Sequence, residues 1–505
     1  MGLLESSLLF SSSVSVFGGL LVLLLFCLIS SFSFHLKDDR KEPPGPKPLP
    51  ILGNLLQLDR KIPYNTLVEF SKEYGSVFTV YLGLKKVVVL AGYKTVKEAL
   101  VNHADEFGGR DPLPILNERN QGHGILWSSG DSWREMRRFA LANLKDFGMG
   151  KRACEDKIAE ECEHLIELFL KFKGEAFDTS KPMYRPIANI ICSMVYGSRF
   201  EYDSPEFKSL LNRIHRLGPI MGSPLMKVYN IFPWLFRWIS DRKEFHSLGD
   251  ATRKQNIKLF SHLKETLSPE RCRGLVDAFL VRQQNLEESG ITSSHFHDEN
   301  LLMTVSNLFS AGTDTTAITL RWALLFMARY PEIQDQVQEE LGKVIGSQQV
   351  QLEDRKNLPF TNAVIHETQR VANIAPIAIP HKTLQDVTFQ GHFIKKGTTV
   401  YPLLSSVLFD ESEWATPHTF NPAHFLDKDG KFVKQDAFMP FSAGRRVCLG
   451  ESLARMELFI FFATLLQHFR FTPPPGVSED EMDVNPQLLL FLEPPTHKLC
   501  AVPRM

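Results

Sequence analysis

From Ser6 to Phe34 the chain carries no Asp, Glu, Lys or Arg, and Gly18 to Ile29 (GGLLVLLLFCLI) is almost purely aliphatic. At 1.5 Å rise per residue such a run is long enough for the roughly 30 Å apolar core of a bilayer. A membrane anchor is therefore expected over residues 1–36. A cleaved secretory signal reads similarly, but the residues before the run are not basic and Ser30 to Ser33 makes a weak cleavage site. Lys37, Arg40 and Lys41 follow the run, and an excess of basic residues marks the cytosolic side, so the large body is expected in the cytosol. Residues 37–54 then read as a basic and proline-rich hinge. Its prolines, in PPGPKPLPILGN, fix φ and favour a stiff, extended path.

What remains, 55–505, must be explained as one unit or several. A length of 505 residues permits several domains, yet no flexible linker or regular repeat divides the body. Charge is balanced, with 57 Lys and Arg against 58 Asp and Glu, which gives no ground for a nucleic-acid partner. The seven cysteines, at 27, 154, 162, 192, 272, 448 and 500, form no CxxC pair. That spacing disfavours a zinc module or a disulfide scaffold and suits a reducing compartment.

Val77 to Gly83 and Lys85 to Gly92 are β-prone runs expected to form a hairpin. Helical periodicity dominates afterwards, around Lys157 to Phe172, Ile257 to Leu267 and Glu299 to Tyr330, and short strands return near Val387 to Phe393 and Thr398 to Leu404. The expected class is mainly α with small β-sheets, neither a doubly wound sheet nor a barrel.

The segment Phe441 to Gly450 reads FSAGRRVCLG and places Cys448 just before a helical run, GESLARMELFIFFATLLQHF. Backbone N–H groups at a helix start favour an anion, so a thiolate-like sulfur is expected. Gly444 and Gly450 allow a tight turn and close approach to a flat cofactor. A lone cysteine before a helix is more often a small core residue, but Phe441, Gly444, Arg446, Cys448 and Gly450 together match FxxGxRxCxG, the haem-binding signature of cytochrome P450. The chain resembles the microsomal vertebrate P450s of family two, which oxidise xenobiotics and fatty acids, over nearly its whole length. The resemblance implies the cytochrome P450 fold for 55–505 as a single domain, haem b as cofactor, Cys448 as axial iron ligand, and residence in the endoplasmic reticulum membrane.

Further residues take their expected roles from the same resemblance. Glu367 and Arg370 in VIHETQR share a helix face; alone they would be an ordinary ion pair, but the family uses this pair as a structural clamp beneath the haem. Its third member, usually an arginine, falls on His424 in Pro422-Ala423-His424-Phe425. Asp314 and Thr315 lie in FSAGTDTT within an apolar helix, where each polar group needs a partner or a job. Gly312 lowers helical propensity and is expected to open room beside the backbone; a hydrogen-bonded kink is one reading of the pair, and the resemblance assigns Asp314 and Thr315 to proton delivery during oxygen activation. Trp133 and Arg137 in WREMRR, with Arg110, His381 and Arg446, match positions that hold the haem propionates. Planar guanidinium suits a carboxylate well.

No dinucleotide loop or Walker motif is present, so electrons must come from a partner. The family's donor is NADPH–cytochrome P450 reductase, with cytochrome b5 as an accessory, and Arg134, Arg138 and Arg445 are candidate docking residues. The resemblance implies pocket walls from 113–126, 211–228, 307–311, 374–379 and 486–490, which are mostly apolar and suit a lipophilic small molecule. The expected reaction is hydroxylation or epoxidation. Two other readings stay open: a reductase-independent haem-thiolate isomerase or lyase, a group that tends to lack the acid–threonine pair, and a non-catalytic haem sensor, which would leave that pair without a purpose.

Overall fold

The computed structural model describes residues 41–149, 151–291 and 294–504, together with 18, 19, 21–23 and 26. Most of the expected anchor, with Lys37 and Arg40, lies outside the described residues, among which no helix is long and apolar enough to cross a membrane. The proline-rich segment runs along the body: Pro44 O accepts from Thr79 N at 2.7 Å, and Asn54 Oδ1 accepts from Tyr81 N at 2.7 Å. Prolines cannot donate, so their carbonyls and the Asn54 side chain make these attachments.

A first helix, α1 (Pro63–Tyr74), precedes the expected hairpin of β1 (Val77–Leu82) and β2 (Lys85–Leu90), paired antiparallel from Val77↔Leu90 to Leu82↔Lys85. The tight connection uses Gly83 at φ 65. Next come β3 (Gly109–Arg110), α2 (Pro114–Asn120), α3 (Gly130–Asp146), α4 (Arg152–Leu170), β4 (Phe177–Asp178) and α5 (Ser180–Val195). Proline at the first helical position and a serine cap start both α6 (Pro205–Gly222) and α7 (Pro224–Ile231): Ser204 accepts from Phe207 N and Ser223 from Met226 N. The periodicity around Ile257 to Leu267 belongs to a much longer helix, α8 (Ser240–Glu265), whose polar first half hides the pattern. It is followed by α9 (Leu275–Glu288), α10 (Asp298–Arg329), α11 (Pro331–Val344) and α12 (Pro359–Ala372).

The run Val387 to Phe393 is two strands rather than one. After β5 (His381–Lys382), β6 (Val387–Phe389) turns into β7 (His392–Ile394) through Gln390 and Gly391, both at positive φ, the geometry that a two-residue hairpin of the right twist needs. Then come β8 (Thr399–Pro402), α13 (Glu451–His468), β9 (Phe469–Thr472), β10 (Gln487–Leu488), β11 (Leu492–Glu493) and β12 (Lys498–Pro503). The largest sheet has the order β1-β2-β8-β5-β3, with β2 and β8 parallel. It therefore brings Arg110 of β3 opposite His381 of β5.

Helix α10 runs through the helical body, packed on α5, α12 and α13. Its residues from 316 to 328 are all buried, whereas 306–308 and 310–312 are only partly so. The helix is thus apolar all round at one end, as a central core helix should be, and opens onto a less crowded space near its middle. The core around it includes Trp322, Phe169 and the phenylalanines of α13. Behind the sheet a second cluster joins Val88, Leu90 and Val400 to Trp414 and Phe425.

Candidate haem site

Cys448 closes a tight loop immediately before α13, and its backbone N–H donates to Phe441 O at 3.0 Å. Gly444 sits at φ 70, and a Cβ there would overlap the backbone carbonyl of Leu100, so both conformation and space demand glycine. Cys448 is an exposed residue, yet protein gathers closely enough around its sulfur to strip much of its hydration. Burial pushes the thiol above its ordinary range and outweighs the N–H groups of Gly450 and Glu451 and the charge of Arg137, which pull it down. The helix-start N–H groups thus act on the sulfur in the expected direction, against the opposing effect of lost hydration. A bound metal prevails over that effect, because a coordinating thiol is deprotonated outright.

Around that loop the chain gathers cations. Arg446 is 6 % exposed, Arg110 9 % and His381 2 %. Arg446 donates to Gly108 O at 2.8 Å and Ser128 O at 2.9 Å, and its guanidinium stands 3.6 Å from the centre of the Trp133 ring. Arg110 donates to Ile379 O at 2.8 Å, His381 Nδ1 to Phe107 O at 2.7 Å, and Arg137 to Val447 O at 2.7 Å. Every one of these partners is a carbonyl. Burial, then mutual repulsion among the arginines, lowers Arg446 to about 8 and Arg110 to about 9, and burial chiefly lowers His381 to about 3. Arg110 Nε, Arg446 Nη1 and His381 Nε2 are buried without a hydrogen-bond partner. The two buried, incompletely bonded arginines need an anion, and the neutral His381 ring stands beside them. A flat cofactor with two carboxylates, reaching at its centre a cysteine sulfur, fits this donor set.

The clamp residues come together away from solvent. Arg370 makes a bidentate pair with Glu367 at 2.7 and 2.8 Å, both side chains wholly buried, and gives its remaining N–H groups to Leu408 O, Pro417 O and Thr419 O. His424 Nδ1 donates to Glu367 Oε1 at 3.1 Å while its Nε2 accepts from Thr416 N at 3.2 Å. A neutral imidazole with one donor and one acceptor thus completes the arrangement where the family usually has arginine.

On α10, consecutive residues point about 100° apart, and Asp314 and Thr315 have different surroundings. Thr315 is half-buried and donates to Ala311 O at 2.7 Å. Asp314 lines a cavity of about 210 Å³ shared with Tyr184, His215, Arg321 and Glu493. Burial, then the nearby Glu493, pushes the Asp314 carboxyl well above the usual carboxylate range. Gly312 does not leave open space: a Cβ there would meet Ile191 Cδ1 of α5 at 2.6 Å, so its missing side chain admits a neighbouring helix.

Two of the candidate docking arginines are already paired, Arg445 with Asp105 and Arg134 with Asp131, while Arg138 stays exposed. Asn307, expected only as part of a pocket wall, accepts from the N–H groups of Ile125 and Leu126 at 3.1 Å and ties another expected wall to α10. An asparagine in an apolar helix was a signal that this side chain had a buried partner.

A mainly helical body whose cysteine loop adjoins a knot of buried cations has the build of a protein that holds an anionic metal macrocycle through sulfur. Comparison with known proteins specifies it further. The family model for cytochrome P450 matches residues 43–501. The chain is 60 % identical over 505 residues to cytochrome P450 2K4 of Oncorhynchus mykiss, and 55 % identical over 504 residues to cytochrome P450 2K6 of Danio rerio, covering the whole of each chain. It is 46 % identical over 447 residues to cytochrome P450 2F2 of Mus musculus, covering 88 % of this chain and 90 % of the other. The chain belongs to the cytochrome P450 family, is closely related to its vertebrate family-two members, and is a haem-thiolate monooxygenase of lipophilic substrates.

Proposed function

We propose that this enzyme hydroxylates or epoxidises lipophilic small molecules, fatty acids or xenobiotics, and that Cys448 would bind the iron of haem b while Arg110, Trp133, Arg137, His381 and Arg446 would hold its propionates. The observation that carries the site assignment is the pair of buried arginine N–H groups, Arg110 Nε–H and Arg446 Nη1–H, left without acceptors beside the cysteine loop. When bound, haem activates dioxygen and transfers one oxygen atom to substrate, and a thiolate ligand favours the O–O cleavage this requires.

The chain supplies the rest. Cys448 is held by its own N–H bond to Phe441 O and by the close seat of Gly444 on Leu100. Glu367, Arg370 and His424 form the clamp, with Phe441, Gly444 and Gly450 shaping the ligand loop. Thr315 gives its own proton to Ala311 O, so its oxygen has lone pairs free to fix a water. Asp314, whose carboxyl burial pushes well above the usual carboxylate range, can take up and release a proton between that helix face and the polar cavity behind it. Apolar walls exclude bulk water while the proton moves.

Residues 1–36 anchor the chain in the endoplasmic reticulum membrane, 37–54 act as hinge, and the catalytic domain 55–505 faces the cytosol, where NADPH–cytochrome P450 reductase, assisted by cytochrome b5, delivers electrons. The test is turnover in membranes with reductase and NADPH over a panel of fatty acids and lipophilic xenobiotics. Product that requires NADPH supports the reading. Conversion of a peroxide without reductase would point to an isomerase, and haem binding without product to a sensor. Thr315→Ala should keep the haem spectrum but divert reducing power into hydrogen peroxide; unchanged coupling would remove Thr315 from the proton route.

A further inference from the structure

Strands β10 and β11 form a hairpin with Gln487 opposite Glu493, and its first half carries the expected pocket wall 486–490. Two bonds fix its base to the body: Leu492 N donates to Ile374 O at 2.9 Å, and Leu492 O accepts from Trp322 Nε1 of α10 at 3.0 Å. Its tip rests on α6. A Cβ on Gly222 would stand 2.9 Å from Leu489 Cα, a backbone atom that cannot turn aside, so the glycine makes the seat.

Beside Leu492, Glu493 accepts from Arg321 Nη1 at 3.2 Å. Arg321 lies two helical turns beyond Asp314 on α10, so the two share a face, and with Glu493 they line the cavity of about 210 Å³. Arg321 is buried with its Nε unbonded, as is Nε2 of His215 from α6. Unbonded polar groups around a space of that size suit bound water, a carrier for protons.

The titratable groups that share the cavity with Asp314 are Asp178 of β4, Tyr184 of α5, His215, Arg321 and Glu493; Lys181 and His497 act on these from outside the lining. Burial keeps three of them neutral: it raises the Tyr184 phenol, lowers His497, and together with Arg321 lowers His215 to about 4. Asp178 is exposed and accepts from Ser180 N at 2.7 Å. Glu493 and Arg321 remain as the inner charges, and Glu493 adds to burial in raising the Asp314 carboxyl.

We propose that Glu493 and Arg321 are positioning residues that tie Asp314 to the β10–β11 hairpin, so that the seating of this pocket wall governs how readily α10 gives up a proton. The proposal rests on the reading of Asp314 as a proton carrier. Neighbouring like charges favour the protonated form of one of them, and moving Glu493 away on its hairpin relaxes that preference. A substrate packed on the hairpin therefore acts on the proton as well as on the pocket.

Infrared difference spectra of the membrane-bound holoenzyme between about pH 5 and 10 test this, with the Asp314 carboxylic acid band assigned by its loss in Asp314→Asn. In Glu493→Gln the midpoint of that band should fall by about one pH unit, since a repelling charge has gone and Arg321 is free to attract. Gly222→Ala keeps every charge but lifts the hairpin from its seat, and the midpoint should fall there too, by less. In both variants the pH above which NADPH is diverted from product into hydrogen peroxide should move down with it. An unchanged midpoint in a Glu493→Gln protein that keeps the parent's haem spectrum would overturn the proposal, as would the absence of any Asp314 acid band at pH 5. An unchanged midpoint in Gly222→Ala would overturn it as well, and that variant decides alone if Glu493→Gln fails to accumulate. Failure of the proton-carrier reading shows separately: Asp314→Asn would then couple NADPH to product as the parent does, while the infrared midpoints still report whether Glu493 governs that carboxyl.

Discussion

Glu367, Arg370 and His424 lie deep in the molecule, as do Arg110, His381 and Arg446, but the first group answers its charges within the chain while the second leaves N–H groups unbonded. All five Arg370 N–H groups have acceptors, two of them carboxylate oxygens. Arg110, Arg137 and Arg446 find only neutral oxygens, carbonyls and the Ser129 hydroxyl, and repel one another. Burying a charge is costly unless it is paired and fully hydrogen-bonded. A group that meets this condition internally serves the fold; a group that fails it is waiting for something from outside.

The contrast can be broken most easily at the clamp. Arg370→Ala strands a wholly buried Glu367 carboxylate, and removing one partner of such a pair costs about 3–5 kcal/mol, so the variant should fail to accumulate as folded holoenzyme. Thermal unfolding and yield in membranes measure this. A variant that unfolds like its parent would show that the clamp is dispensable.

Arg446→Met should do the reverse. Removing one of several repelling cations should leave the haem-free chain as stable as before or more so, while haem affinity falls about tenfold to a hundredfold, ~1.4 kcal/mol per decade. Haem titration and unfolding of the haem-free protein separate the two quantities. Equal loss of both would make Arg446 a fold residue like Arg370.

Glu457 sharpens the comparison from a third position. It is fully buried in α13, bonded by Thr316 Oγ1 at 3.3 Å with its other oxygen unpartnered, and burial raises it to about 8 from the usual 4.5. Between those values the folded chain holds a proton that the unfolded chain releases, so stability is present at low pH and lost as pH rises toward 8. The slope is at most ~1.4 kcal/mol per pH unit. Glu457→Gln, which carries no titrating proton, should unfold with a flatter dependence between pH 5 and 8; an unchanged slope would place the linkage elsewhere.

Periodicity exposed the long central helix and the β1–β2 hairpin, because one side-chain period governs each over many residues. It failed at Gln390-Gly391, where two left-handed residues cut one apparent strand into a hairpin, and at α8, whose polar first half masks its length. The Cys448 loop was readable because its residues are neighbours in sequence. Arg110 and His381 entered only through the family resemblance, since nothing local to either says that β3 and β5 will pair. The role of Gly312 was misjudged for the same reason: Ile191, which fills the space beside it, is far away in the chain.

The central claim is that Cys448 presents a thiolate to haem iron within a cradle of buried cations. Reducing the membrane-bound protein and adding carbon monoxide tests it most directly. The account predicts the strongly red-shifted Soret band of a thiolate-ligated carbonyl complex in the parent, and loss of that band in Cys448→Ser. A parent without the band, or a serine variant that retains it, would contradict the assignment.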